Sequence, residues 1–160
     1  MDNNVLVPKP HRILNMLKHT KTECTFRVAC DTEPGYGQFF MLSLPKVGEA
    51  PISASGKGRG YVEFTIRNVG LLTQAIFELE PGNSIFLRGP YGNQFPVKQF
   101  ENKDLLIICG GTGMAPVLTM INISMTIRRC ASRSTSSRGS KTQTRCCFEM
   151  RLKSSEPDST

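Results

Sequence analysis

The chain has 160 residues, of which 39% are hydrophobic, and a formal net charge of +7. This apolar content is enough for one core, but no apolar run reaches the length of a membrane span, so a membrane-spanning chain is not expected. Much of the charge lies in residues 118–160, which hold eight Lys or Arg against three Asp or Glu, and no aromatic residues alternate with these cations, so nucleic-acid binding is not expected either.

The six cysteines favour a reducing environment. They form no C-x-x-C pair, and the first 30 residues lack the charged start and the continuous apolar segment of a secretory signal. We therefore expect a cytoplasmic protein. Three cysteines that fall in or beside predicted strands are interpreted as small buried apolar residues, with metal binding as the weaker alternative: Cys24, Cys30 and Cys109.

Residues 11–103 have the pattern of a small all-β domain, preceded by a polar lead-in over residues 1–10. Within Tyr61–Val69, apolar residues alternate with polar ones, which is the period of a half-buried strand. Further strands are predicted between turns rich in Gly and Pro, at Arg12–Lys18, Cys24–Ala29, Gln38–Leu44 and Ser84–Arg88. Five or six strands at this spacing predict a closed antiparallel barrel.

Two interruptions of this strand pattern are distinctive. The glycine-rich segment 56–60 is predicted to be a flexible turn. Beyond Gly70 the apolar residues recur at helical spacing, which predicts a helix over Leu71–Glu80 with Thr73 in its first turn. A glycine before a helix start can bind an anion through backbone N–H groups. An ordinary connection without a ligand is the alternative.

A second candidate anion site follows residue 104. The apolar run Leu105–Cys109 precedes a glycine-rich turn and then a proline at a helix start, and the turn consists of Gly110, Gly111, Thr112 and Gly113. This pattern predicts a strand, a turn that could hold phosphate, and a helix, although a connection that binds nothing gives the same pattern. Residues 104–121 are interpreted as the first βα unit of an α/β domain, and residues 122–160 as an irregular basic tail.

Five motifs occur in order along the chain: Pro34-Gly35-x-x-Gln38-Phe39, Ala50-Pro51-Ile52-Ser53, Arg67-x-x-Gly70-x-x-Thr73, Gly89-Pro90-Tyr91-Gly92 and Gly110-Gly111-Thr112-Gly113-x-Ala115-Pro116. In order and spacing, over about residues 10–120, they resemble the ferredoxin–NAD(P)+ reductase superfamily. Within it, segments 47–53 and 89–93 are most similar to the FAD- and NAD(P)-binding electron-transfer subunit of anaerobic sulfite reductase. The γ subunit of sulfhydrogenases and the electron-transfer subunit of dihydroorotate dehydrogenase are close relatives.

The resemblance implies an FAD-binding barrel that receives a hydride from NAD(P)H and passes electrons to sulfite reductase catalytic and iron–sulfur subunits. Pro51, Ile52 and Ser53 would then line the isoalloxazine ring of FAD. Gly70 and Thr73 would hold its pyrophosphate, and Gly110 to Gly113 would hold the nicotinamide dinucleotide. No side chain would act as a general acid or base, because the flavin carries the redox chemistry. Ala50 stands where much of the superfamily has a phosphate-binding arginine, so either Arg67 or Arg88 would substitute for it or FAD would bind less tightly. Because the sulfite-reductase-like subgroup often has alanine at this position, we interpret the change as a trait of that subgroup.

After Val117 the chain departs from this pattern. The superfamily continues through further parallel strands and a cysteine cluster for a 2Fe–2S centre, whereas Cys130, Cys146 and Cys147 lack the spacing of such ligands. This change of character suggests a truncated or frame-shifted coding sequence. We expect an ordered barrel up to about residue 104 and a poorly fixed remainder, with apolar residues of the βα unit left without partners: Ile107, Ile108, Val117 and Ile121. The alternatives to the enzyme are a non-catalytic flavin-binding or docking module and a barrel that binds nothing.

Overall fold

The structure, a computed structural model, describes residues 6–100, 103–121, 125–129 and 145–152. The described chain begins with six strands, in order β1 Lys9–Lys18, β2 Glu23–Ala29, β3 Phe39–Leu44, β4 Gly48–Gly58, β5 Tyr61–Arg67 and β6 Ser84–Tyr91. Helix α1, Leu71–Phe77, lies between β5 and β6. A 3-10 helix, Val97–Phe100, follows the last of these strands.

The six strands close into an antiparallel barrel in the order β1-β2-β5-β4-β3-β6. Pairing of β1 with β6 closes it, with Lys9 opposite Leu87 and Arg12 opposite Ser84. The predicted six-stranded antiparallel barrel is therefore confirmed. Closure leaves none of these strands with an unpaired edge.

The barrel core follows from the period-two pattern of the strands. On β5, Val62, Phe64 and Ile66 are buried while the residues between them are only partly covered. The Phe64 ring meets the Phe40 ring edge-on at 5.7 Å between centroids. Burying a side chain of this size contributes roughly 1.5–3 kcal/mol, so a few such residues dominate the stability of the barrel.

Cys24 and Cys30 belong to this core, as predicted, and both thiols are free. Burial raises the pKa of each thiol, so the thiols stay protonated and unreactive. Cys109 is only partly buried, so it differs from the prediction.

Several element boundaries differ from the sequence prediction, and those of β1, β4 and α1 have a clear physical reason. Strand β1 starts at Lys9, inside the predicted lead-in, because Lys9 and Pro10 pair with β6. Strand β4 runs through Gly56 and Gly58, where a flexible turn was predicted. A Cβ on Gly56 would lie 2.3 Å from Glu63 Oε2, so glycine serves here to let the side chain of the neighbouring strand cross the backbone.

Helix α1 ends three residues before its predicted end at Glu80. Its last turn tightens, since the N–H of Glu78 donates to Ala75 and that of Leu79 to Ile76. Pro81 disfavours helical backbone in the residue before it, so the helix cannot continue to that position.

Beyond the barrel, a strand, a turn and a helix follow as predicted. They are β7 Asp104–Gly110, a 3-10 turn over Gly111–Met114, and helix α2 Ala115–Ile121. Two further strands, β8 Met125–Arg129 and β9 Arg145–Leu152, join β7 in an antiparallel sheet of order β7-β9-β8. The rest of the predicted tail lies outside the described residues.

The expected irregular tail is thus corrected at β8 and β9. The sequence of β9 places apolar residues at Phe148, Met150 and Leu152 in alternation with Glu149 and Arg151, a strand period that the basic composition obscured. The seven residues of β7 pair in register with β9, from Asp104 opposite Arg151 to Gly110 opposite Arg145. This pairing is antiparallel, whereas the start of a doubly wound domain requires a parallel neighbour.

A second apolar cluster forms around α2. Val117 and Met120 are buried in it, and Ile107 and Ile121 pack against them, so the expectation that these residues lack partners is wrong for Val117, Ile107 and Ile121. It is confirmed for Ile108, which is 61% exposed. Among the described residues no helix has the length and apolar content needed to cross a bilayer.

Candidate functional site

A cleft of about 480 Å³ lies between the outer face of the barrel and the turn that leads into α2. Its barrel side is built from outward-facing residues of β1, β2, β4 and β5, and its other side from residues 111–118. The volume is within the range of organic ligand sites. Four residues give the cleft an apolar wall: Leu17, Met114, Ala115 and Leu118.

The floor of the cleft is a row of hydroxyl groups. The Thr65 hydroxyl donates to Ser55 Oγ at 2.9 Å, and Thr25 Oγ1 lies 2.8 Å from Thr65 Oγ1. His19 Nε2 extends the row at 2.7 Å from Thr25 Oγ1. The cleft therefore offers an apolar wall opposite a polar floor, the surroundings that suit a planar heteroaromatic ring.

Two ion pairs flank this row on the outer face. The Arg27 guanidinium binds Glu63 at 2.8 Å, and the hydrogen bond from Nε to Glu63 raises the pKa of Arg27 further above its usual value. Arg67 donates from Nε and Nη2 to Glu23 at 3.0 and 2.5 Å. Both arginines are thus neutralised by a carboxylate.

The glycine-rich turn lies beside Arg67, which brings two of the sequence-predicted regions together. Gly111 has φ +54°, a left-handed conformation that favours glycine, and a Cβ built on it would lie 3.8 Å from Arg67 Nη1. Gly111 and Thr112 line the cleft. Gly110 lies in extended backbone before the turn, and a Cβ on Gly113 would have no atom within 4 Å.

The residues expected around the isoalloxazine ring lie on β4. Successive strand residues point to opposite faces, so Pro51 and Ser53 share the outer face while Ile52 packs against the barrel core. Ser53 lies opposite Phe39 in the register and two residues from Ser55 of the cleft floor. The three predicted ring contacts are therefore divided between two faces of the sheet.

Thr73 has a structural role at the start of α1. Its hydroxyl accepts hydrogen bonds from the N–H groups of Val69 and Gly70, and donates to the Gly70 carbonyl at 2.9 Å. Thr73 is 8% exposed. Its hydroxyl hydrogen is thus already in use, and an anion at Gly70 would rely on the backbone N–H groups of the first helical turn.

Arg88, the other arginine named in place of Ala50, forms a bidentate pair with Glu49, with Nε and Nη2 each 2.6 Å from a carboxylate oxygen. This pair holds the pKa of Glu49 below its usual range and that of Arg88 above it. Arg88 does not line the cleft.

Sequence reasoning missed four members of the cleft floor: His19, Thr25, Ser55 and Thr65. The signal was partly available, because Thr25 and Thr65 occupy outward positions in the two best alternating strands. Their meeting depends on the β2–β5 register, in which the two residues are directly opposite. The iron–sulfur expectation stays open, since Cys130 lies outside the described residues.

Comparison with known proteins finds relatives of the barrel region. Residues 23–95 match the model of the oxidoreductase FAD-binding domain. The chain is 44% identical over 91 residues to the sulfhydrogenase 1 subunit gamma of Pyrococcus furiosus, in a match that covers 56% of this chain and 31% of the relative. It is 43% identical over 95 residues to a probable dihydroorotate dehydrogenase B (NAD(+)) electron transfer subunit of Thermoplasma acidophilum, covering 58% of this chain and 35% of the relative.

The structure of a ferredoxin-NADP+ reductase from Plasmodium falciparum superposes with a TM-score of 0.58 at 13% identity, covering 74% of this chain and 53% of that one, so it shares the fold. The chain spans about a third of the length of the two curated relatives. These relatives do not support the finer likeness to the electron-transfer subunit of sulfite reductase. The superfamily resemblance is supported at the coarser level: residues 23–95 are similar to an oxidoreductase FAD-binding domain, and the barrel shares the fold of a ferredoxin-NADP+ reductase.

Proposed function

We propose that this chain binds FAD on the outer face of its barrel and forms part of an electron-transfer flavoprotein that is reduced by NAD(P)H. The observation that carries the proposal is the cleft between β4, β5 and the Gly111–Met114 turn, on a barrel whose sequence matches an FAD-binding domain. An apolar wall and a hydroxyl floor suit a flat ring with polar edges.

The chain's own residues would bind and orient the cofactor. FAD supplies the redox chemistry when bound, so no general acid or base is needed. Pro51 and Ser53 would meet the ring from the outer face of β4, and the turn from Gly110 to Gly113 would exclude water from the opposite side. Backbone N–H groups at Gly70 would face the pyrophosphate. Arg67 could bind a phosphate as well, but only if its guanidinium released Glu23.

The electron acceptor would be a partner subunit. The Pyrococcus furiosus relative is named a sulfhydrogenase subunit, and the Thermoplasma acidophilum relative an electron transfer subunit of dihydroorotate dehydrogenase B. Subunits of these two kinds are favoured as partners over the sulfite reductase subunits expected from the sequence.

Titration of FAD into the purified chain tests this function. We expect saturable binding that yields a flavin absorption band, and bleaching of the band by NADH under anaerobic conditions. Gly111→Val adds a side chain beside Arg67 and should weaken FAD binding about tenfold, a loss of about 1.4 kcal/mol. Absence of saturable FAD binding by the wild-type chain would overturn the proposal.

Gly60→Val is the matched control. Gly60 has φ +78°, so valine is strained there as it is at Gly111, but a Cβ on Gly60 meets no atom within 4 Å. Gly60 lies in the β4–β5 hairpin turn and does not line the cleft. Its variant should bind FAD as the wild type does.

A second function, flavin binding without hydride transfer, is favoured by the antiparallel pairing of β7 with β9. Dinucleotide-binding sheets place parallel strands around the glycine turn. Under this alternative the flavin band would form with FAD and remain unchanged after NADH is added, whereas dithionite would bleach it.

A further inference from the structure

In the hydroxyl row on the cleft floor, the donor of each hydrogen bond can be assigned, because each hydroxyl group has only one hydrogen to donate. Thr65 donates its only hydroxyl hydrogen to Ser55. The contact between Thr25 and Thr65 must then be donated by Thr25. Because the hydrogen of Thr25 is spent in this way, the contact with His19 must be donated by Nε2–H of the imidazole.

Ser55 is therefore the last residue of the row, and its own hydroxyl hydrogen remains available to donate. Ser55 accepts from Thr65, and in the described part of the chain no hydrogen bond uses the Ser55 hydroxyl hydrogen. Ser55 is 5% exposed and lines the cleft. A buried hydroxyl gains from a partner for its hydrogen, so the side chain is prepared for an acceptor inside the cleft.

We propose that the Ser55 hydroxyl donates a hydrogen bond to a carbonyl oxygen or ring nitrogen of the flavin ring, and that His19, Thr25 and Thr65 are positioning residues that fix its direction. This inference rests on the proposed function and adds a ring contact to it. Successive links in one direction polarise each other, which strengthens the last donor in the row.

The composition of the cleft favours a neutral ring as the occupant. Glu23 and Glu63 lie along the floor beside the hydroxyls, and each carboxylate already pairs with an arginine. A phosphate would be repelled by these two carboxylates, whereas the oxidised flavin ring is neutral and carries carbonyl and nitrogen acceptors together with one N–H donor. The apolar wall of Leu17, Met114 and Leu118 would cover the face of such a ring.

Riboflavin titration into the full chain tests the proposal, because riboflavin carries the ring without the phosphates. Ser55→Ala should weaken riboflavin binding about fivefold to tenfold and shift the absorption maximum of the bound flavin, since one donor to the ring is lost. Thr65→Val keeps the side-chain shape but removes the link, so a twofold to threefold weakening with a shift in the same direction is expected. The shift reports on the ring's electronic surroundings, which a merely structural effect would leave unchanged.

Ser43→Ala is the matched control, a serine on β3 opposite Glu49 and away from the cleft. Far-ultraviolet circular dichroism of each variant establishes that the barrel is folded. Equal affinity and an equal spectrum for Ser55→Ala and the wild type would overturn the ring contact while leaving flavin binding intact. If the wild type binds neither riboflavin nor FAD, both the ring contact and the proposed function are wrong.

Discussion

The barrel and the unit formed by β7, α2, β8 and β9 use their apolar residues in different ways. Every barrel strand has two neighbours, and the barrel encloses a core in which Phe26 and Phe64 are fully buried. The second unit is a three-stranded sheet with α2 against it, where Leu106 and Ile108 are 65% and 61% exposed. A closed sheet buries its inner face by itself, while an open sheet depends on other layers to cover both faces.

The cleft is lined by residues of both regions, and each region contributes a different part of its lining. The barrel supplies the hydroxyl floor and Leu17 of the apolar wall, and the second unit supplies Gly111 and the rest of that wall. Thr119 of α2 joins them, because its hydroxyl accepts a hydrogen bond from the N–H of Gly37 at 3.3 Å. Site geometry on the barrel side should therefore persist when the second unit is disturbed.

The largest effect is expected in the barrel core. Phe64→Ala removes a fully buried ring that packs against Phe40, and should lower the free energy of unfolding by about 3–5 kcal/mol. Urea unfolding followed by circular dichroism measures this. Leu106→Ala removes a side chain of comparable apolar size from an exposed position of β7, and should cost far less. An equal loss for the two variants would contradict the contrast between the two regions.

A smaller effect is expected where the two regions join. Thr119→Val keeps the shape of a residue that is 2% exposed, but leaves the N–H of Gly37 without its side-chain acceptor. Attachment of α2 should weaken by about 1–2 kcal/mol, which is less than the full cost of an unsatisfied buried donor, because the N–H of Gly37 is only partly buried. Hydrogen exchange should then quicken over residues 115–121 while β5 stays protected. The exposed Thr32→Val serves as control, and equal exchange in both variants would rule out the link.

The second apolar cluster gives the next effect. Val117→Ala removes two methyl groups from a side chain packed with Met120, and should cost about 1–2 kcal/mol. Limited proteolysis should show faster cleavage within residues 105–121 and an unchanged barrel fragment. If the variant's barrel were cleaved as quickly as its residues 105–121, the two regions would unfold as one unit.

The barrel could be predicted from sequence because the pattern that identifies each strand lies within the strand itself. Alternation in Tyr61–Arg67 identifies a strand and its buried face without knowledge of its neighbours. The hydroxyl row could not be predicted, since Ser55, Thr65 and Thr25 meet only through the registers of β4, β5 and β2. A bulge between Ala54 and Gly56 shifts that register, and sequence periodicity does not reveal it.

The second unit was harder to predict for a related reason. The glycine turn was recognised because its composition is unusual, but the partner of β7 is β9, about 40 residues further along the chain. Choosing between a parallel and an antiparallel partner depends on long-range pairing, which local propensity does not encode. The expected tail was therefore wrong at residues 125–129 and 145–152, where strands form.

The smallest effect concerns the ion pair that joins β4 to β6 on the barrel surface. Arg88 holds the pKa of Glu49 below its usual value, so the pair stabilises the fold above the unfolded-state pKa of about 4.3, and this stabilisation is lost as the pH falls through the lower, folded-state value. Glu49→Gln should therefore lower Tm slightly at pH 7, and the difference from the wild type should vanish in acid. Glu80→Gln, at an exposed position after α1, is the matched control in thermal unfolding measured from pH 7 to pH 3. A difference for Glu49→Gln that grows towards acid would mean that the carboxylate is stabilised less in the folded barrel than in the unfolded chain, the reverse of what its bidentate contact with Arg88 implies.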